Sequence, residues 1–218
     1  MIKANDFFNL KETPDILDQD TIFFVEGIDD CWFLGSIFSE MELDPTRVLI
    51  ISVGGQDNFA EYFQLFRKHS KYKNGTIKSI AILCDADDSF SGKTNRMNAI
   101  FSSVSWPKMT HAKPIPGVRK FGLFIFPEDG QDGDLEHLCL QTVIETDIGE
   151  LSSDTINRAQ QIHGLSLNNL SKRQSQTYLA ISSGNLCRGV GRGFADGRFN
   201  RNHEKLKPIR IFISEMVN

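Results

Sequence analysis

No run of apolar residues in this sequence approaches the roughly 20 that a membrane-spanning helix needs, and residues 1–10 have neither the basic flank nor the long apolar centre of a signal peptide. A cytoplasmic protein with no membrane partner is the expectation. Paired cysteines are lacking too. Cys31, Cys84, Cys139 and Cys187 lie far apart and form no C-x-x-C, which argues against a zinc knuckle or a redox dithiol and for reduced, packed thiols. Excess positive charge is absent: the formal net charge of -4 is the wrong sign for a protein that coats nucleic acid non-specifically. No nucleotide motif is complete. Gly92-Lys93-Thr94 imitates the end of a P-loop, but Asp87 stands where the first glycine should be. Gly189-Val190-Gly191-Arg192-Gly193 lacks the full G-x-G-x-x-G and follows no strand, so it reads as a turn or a close approach to phosphate. There is no internal repeat and no low-complexity tract.

What is present is enough apolar sequence, 40% of 218 residues, to bury a full core, with one domain and a small appendage as the natural size. Short apolar runs alternate with turns and amphipathic stretches, the pattern of successive β and α units. Strands are expected at residues 21–25, 47–53, 79–84 and 121–126. Helices are expected at 29–41, after the Gly54-Gly55 turn with Asp57 as cap, and at about 95–104. Further helical segments follow at 135–145, 172–181 and 206–216, interrupted by the glycine-rich stretch 184–197. The 17 phenylalanines fall mainly on periodic faces and read as core. Strands this apolar, joined by helices, form a parallel sheet covered on both faces, with every strand C-terminus on one edge, where ligands bind. The expected fold is therefore α/β and Rossmann-like: a mostly parallel four-stranded sheet flanked by helices. Residues 1–20 form an N-terminal extension, placed no further than a short helix; 21–140 form the core, and 141–218 a mainly helical C-terminal extension packed on it.

That edge collects acids. Glu26 ends the first strand, and Asp85 and Asp87 end the third. Two apart in extended backbone, Asp85 and Asp87 would point to the same side. Asp30 opens the helix after Glu26, and Asp134 and Glu136 open the one after the fourth strand. Taken singly, each is a cap or loop residue. Together they are a crowd of anions that needs cations, and hard oxygen donors suit magnesium or manganese, one or two ions. An open carboxylate rim favours phosphoryl transfer over a closed structural site. His137 adjoins this rim but reads first as a packed or surface residue.

The runs Phe24-Val25-Glu26-Gly27-Ile28-Asp29-Asp30, Ser52-Val53-Gly54-Gly55 and Leu83-Cys84-Asp85-Ala86-Asp87 resemble, in order and spacing, the TOPRIM domain of topoisomerases, primases and OLD-family nucleases. Gly133-Asp134-Leu135-Glu136 is similar to the acidic motif that follows the last core strand in OLD-like nucleases. The whole is closest to small stand-alone TOPRIM-like proteins of unknown function. The resemblance covers about residues 21–140 and is faint in the tail. It implies Glu26 as general acid/base or metal ligand, Asp85 and Asp87 as magnesium ligands, and Asp30, Glu136 and the weaker candidate Asp134 around a second metal. It also implies a transition-state lysine, for which Lys172 is the candidate, and a role in phage or mobile-element defence. The OLD ATPase is absent, so energy-driven regulation would need a partner ATPase.

Charge is uneven along the chain. Every charged residue within 121–155 is acidic, whereas between Arg188 and Arg210 seven cations face only Asp196 and Glu204. Complementary solvated faces and a cationic nucleic-acid surface beside an acidic one are equally good readings. On the second, Arg188, Arg192 and Arg198 are the candidate contacts to DNA or RNA. The leading expectation is a magnesium-dependent nuclease or related phosphotransferase. A non-catalytic module binding nucleic acid or a partner, and a small-molecule phosphohydrolase or nucleotidyl transferase, are the alternatives; a homodimer is left open.

Overall fold

The computed structural model describes residues 8–9, 19–163, 169–182, 184, 186 and 189–218. The expected short helix at the N-terminus, Cys187 and Arg188 lie outside the described residues. Strands β1 (Phe8–Asn9), β2 (Thr21–Val25), β3 (Val48–Ser52), β4 (Ser79–Asp85) and β5 (Lys120–Phe126) form one parallel sheet in the order β1-β3-β2-β4-β5. The four expected strands are its body, and the two-residue β1 extends one edge.

Side chains alternate strictly across this sheet, as the two-residue strand period requires. Phe23, Val25, Ile50, Leu83, Phe124 and Phe126 enter one buried cluster, while Ile22, Phe24, Ile51, Ile82, Leu123 and Ile125 enter the other. The second face is covered by α2 (Phe59–Lys68) and α4 (Phe90–Ser103), through Phe59, Phe63, Phe66, Met97 and Phe101. Phe24 is wholly buried there, edge-on to Phe63 and Phe66 at centroid distances of 5.2 and 5.0 Å. Between these helices lies the single turn α3 (Ser70–Lys73). The first face is covered by α1 (Ile28–Glu40), α5 (Leu135–Gln141), α7 (Leu170–Ile181), α8 (Val190–Ala195) and α9 (Lys207–Val217). Tyr178, Phe194 and Phe212 from the C-terminal third thus share one core with Phe23 and Phe33.

Several boundaries differ from expectation. A 3-10 turn at Gln56–Asn58 precedes α2, and Asp57 pairs with Arg96 instead of capping the helix. The fourth helix starts at Phe90, five residues early, because the Ser89 hydroxyl accepts from the Gly92 N–H at 3.0 Å and caps it. The helix expected at 135–145 ends at Gln141, and an unforeseen α6 (Asp147–His163) follows. Its apolar residues Ile148, Leu151 and Ile162 recur at helical spacing but are solvent-exposed, so the period marks a helix whose apolar face lies outside the core. The glycine-rich stretch contains α8, whose glycines allow packing, not phosphate binding: a Cβ at Gly191 would overlap the Asp29 carbonyl oxygen, and one at Gly193 the Leu179 side chain. Among the described residues no helix is long and apolar enough to cross a membrane. Cys31, Cys84 and Cys139 are buried free thiols.

Candidate active site at the carboxyl edge of the sheet

Parallel pairing sets Val25 beside Ser52 and Asp85 beside Phe126, so the residues leaving all four long strands meet at one edge. Glu26, first after β2, turns across to β4: its Oε1 accepts from the Asp85 backbone N–H at 3.2 Å and from the Lys93 ammonium at 3.1 Å. The Asp85 side chain turns the other way, toward α5, and its Oδ1 accepts from the Leu135 N–H at 3.0 Å, in the first turn of that helix. Asp30 is buried on α1, with Oδ2 accepting from the Gly27 N–H at 2.7 Å.

Asp87 departs from the expected geometry. The chain leaves β4 after Asp85 and takes a left-handed conformation at Asp87, φ 53°, fixed by a reciprocal backbone pair with Gly133 at 2.8 Å each way. The alternation that would have put Asp85 and Asp87 on one side fails outside extended backbone. The two carboxylates therefore serve different partners, and Asp87 Oδ2 lies 2.9 Å from the Lys93 ammonium. Asp134 caps α5: Oδ1 accepts from the His137 backbone at 2.9 Å and bonds its ring Nδ1 at 2.8 Å, while Oδ2 accepts from the Ser171 hydroxyl at 2.7 Å. Both of its oxygens are thus engaged in tying α5 to α7.

The electrostatics divide the acids into two kinds. Burial, then the charges of Asp30, Glu26, Asp134 and Glu136, push Asp85 well above the usual carboxylate range. Asp30 rises to about 7, chiefly through burial, against the Gly27 N–H and with Glu26, Glu136 and Asp29 adding to the rise. Glu136 is raised by burial and by Asp134. Glu26 is also raised by burial, with Lys93 opposing. Asp134 alone is lowered, because its bonds from His137 and Ser171 outweigh its burial. Asp30, Asp85 and Glu136 are thus a mutually repelling set of hard oxygen donors. As the side chains stand, no three His, Cys, Asp or Glu groups among the described residues close round one point: Lys93 occupies the Glu26–Asp87 side and Asp134 is committed elsewhere. The remaining acids, Asp30, Asp85 and Glu136, are hard oxygen donors of the type that suits a divalent cation, and Lys172 is a cation whose charge reaches Glu136.

A cleft of about 840 Å³ is lined by Gln56, Asp87, Asp134, His137, Ser171 and Lys172 among others. Lys172 is exposed on α7, and the charges of Glu136, Asp85, Asp134 and Asp87 outweigh its burial and raise its pKa. Two of the arginine candidates are occupied. Arg192 stacks over Trp32 at 4.7 Å and pairs with Asp196 at 3.1 Å. Arg198 is half-buried beneath Gly184, where a Cβ would overlap its guanidinium.

A family model, described as a protein of unknown function (DUF3226), matches residues 20–218. The chain belongs to this family. No curated protein matches it. Among solved structures, this DUF3226 chain is similar to the C-terminal region of the OLD protein of Xanthomonas campestris pv. campestris. With the crystal phased with mercury the identity is 15%, over 90% of this chain and 98% of that one, at a TM-score of 0.41. With the crystal phased with platinum it is 17%, over 90% and 96%, again at 0.41.

The residue of this DUF3226 site that the motifs did not disclose is Lys93, together with Gln56, whose Oε1 accepts from the Lys93 ammonium at 2.8 Å. A signal was there. Lys93, Met97 and Phe101 are four apart and form the buried stripe of α4, and a lysine in register with an apolar face marks a buried cation.

Proposed function

We propose that this DUF3226 protein is a magnesium- or manganese-dependent phosphodiester hydrolase, a nuclease of the TOPRIM and OLD type. The observation that carries the reading is the Asp85 carboxylate, buried at the edge of the sheet and surrounded by the like charges of Asp30, Glu26, Asp134 and Glu136. Such crowding is unfavourable for the protein alone and is relieved by a divalent ion. The order and spacing of the acidic motifs support the same chemistry. Asp30, Asp85 and Glu136 would hold the ion, their side chains turning toward one another to close round it. Bound there, it supplies a water activated for in-line attack and charge to offset the leaving oxygen.

The chain's own residues do the rest. Lys172, kept protonated by the acids around it, stands on the cleft where it would bind a phosphoryl oxygen. Glu26 is held against the Asp85 backbone and Lys93, and would act from there as general acid or base on a bound phosphodiester.

Asp85→Asn tests the reading, since the amide oxygen can still accept from the Leu135 N–H while the charge is lost. Magnesium- or manganese-dependent cleavage of DNA or RNA by the wild type, lowered at least about 100-fold in the variant, is the expected result. Equal cleavage by both would defeat the assignment. The neutralised Glu26–Asp87 side favours a second reading, a non-catalytic nucleic-acid or partner module. Tight metal-independent binding without cleavage would select it.

A further inference from the structure

Lys93 is the only lysine or arginine among the described residues that is buried. A buried ammonium persists only when its hydrogens are all taken by acceptors and its charge is paired. Here three acceptors meet it, Gln56 Oε1 at 2.8 Å, Asp87 Oδ2 at 2.9 Å and Glu26 Oε1 at 3.1 Å. Each belongs to a residue held by a further bond. Gln56 Oε1 also accepts from Arg96 at 3.3 Å, Glu26 is held by the Asp85 N–H at 3.2 Å, and Asp87 is locked to Gly133 on both backbone groups. Lys93 itself projects from the capped first turn of α4, on the same face as the buried Met97 and Phe101.

The rim therefore has two unlike halves. Glu26 and Asp87 already share a fixed cation. Among the described residues Asp30, Asp85 and Glu136 have none of comparable closeness; Asp30 and Asp85 accept single backbone N–H bonds from Gly27 and Leu135. We infer that Lys93 stands in for one of the two metal ions that so many carboxylates would otherwise gather, so that the site takes a single divalent ion, on the Asp30, Asp85 and Glu136 side. A second divalent ion at Glu26 and Asp87 would have to sit against the ammonium or expel it from a buried pocket. Lys93 is on this view a positioning residue and a permanent part of the charge of the site. The inference rests on the metal reading given above and goes further by fixing the count.

Counting bound Mn²⁺ on the full-length protein tests it without any turnover, by isothermal titration calorimetry together with the paramagnetic resonance of free Mn²⁺. The wild type should bind one ion per chain. Lys93→Met should bind two, and Mn²⁺ should raise its melting temperature more than that of the wild type, because Glu26 and Asp87 are left unpaired. If Lys93→Met does not fold, Lys93→Ser, which leaves room for water or an ion, should bind two. Two ions in the wild type, or one in both the wild type and a folded variant, would overturn the inference and leave the metal reading standing. No Mn²⁺ on the wild type would overturn both.

Discussion

Asp134 shows how an acid in a catalytic-looking motif can be structural. Its two oxygens take three hydrogen bonds, from the His137 backbone and ring and from Ser171, and the result is the one rim carboxylate with a lowered pKa. A carboxylate so held contributes stability above its unfolded pKa, and that contribution is lost as pH falls through the folded value. Ser171→Ala removes one of these bonds from a mostly buried charge and should cost about 1–3 kcal/mol at pH 7. The deficit should shrink at a second, acid pH that lies below the lowered pKa of Asp134, where the carboxyl is protonated in both proteins. Urea denaturation at the two pH values reads it, and an equal deficit at both would mean that the bond to the charged form is not what is lost. The motif alone could not reveal this, because the spacing of Asp134 and Glu136 is the same whether the acid binds a metal or caps a helix. What distinguishes them is Ser171, distant in sequence and in a helix foreseen only approximately.

Elements with a buried face were legible, and those without one were not. Strands β2, β3, β4 and β5 are continuous apolar runs because both sheet faces are covered, and they fell within a residue or two of expectation. Helix α6 carries Ile148, Leu151 and Ile162 at helical spacing but exposes them, so its period does not point to the core as those of the other helices do. Lys93 was missed for an element-level reason: with the helix assumed to begin near Asn95, it fell in a loop, and only the Ser89 cap puts it on the buried stripe. The left-handed turn at Asp87 was equally hidden, since Asp adopts that conformation without a glycine to announce it. The glycines of α8, which in the sequence suggest a turn or a close approach to phosphate, allow one helix to pack closely on another. Gly191 donates to the Asp29 carboxylate at 3.2 Å and lies against the Asp29 carbonyl, so α8 rests directly on the first turn of α1. Gly191→Ala forces backbone against backbone, which no rotamer change relieves, and should destabilise by about 1–3 kcal/mol or more. Thermal denaturation measures it; a melting temperature equal to that of the wild type would mean that α8 does not seat on α1 so closely.

For the molecule as a whole, the acidic rim should set how stability depends on pH. A carboxyl whose folded pKa is raised binds its proton more tightly in the native state than in the unfolded chain, so native stability falls as pH rises from the unfolded pKa to the folded one. For Asp30 that interval runs from 3.8 to about 7, and Asp85, Glu136 and Glu26 move in the same direction. His137 adds to the trend. Its pKa is raised by its bond to Asp134, and the stabilisation, complete below about pH 6.5, is lost as pH climbs through the folded value. In EDTA the protein should therefore lose on the order of a few kcal/mol between pH 5 and pH 8. On the proposed function Mn²⁺ would bind the ionised native rim and not the unfolded chain, so millimolar Mn²⁺ should return most of that loss at pH 8 and little at pH 5, where protons compete for the same oxygens. Denaturant titrations at both pH values, with EDTA and with Mn²⁺, separate the two effects. A stability that is level or rising from pH 5 to pH 8 in EDTA would mean that these carboxyls do not repel one another in the fold, and the crowding of charge at the sheet edge, with the need for a cation that it creates, would go with it.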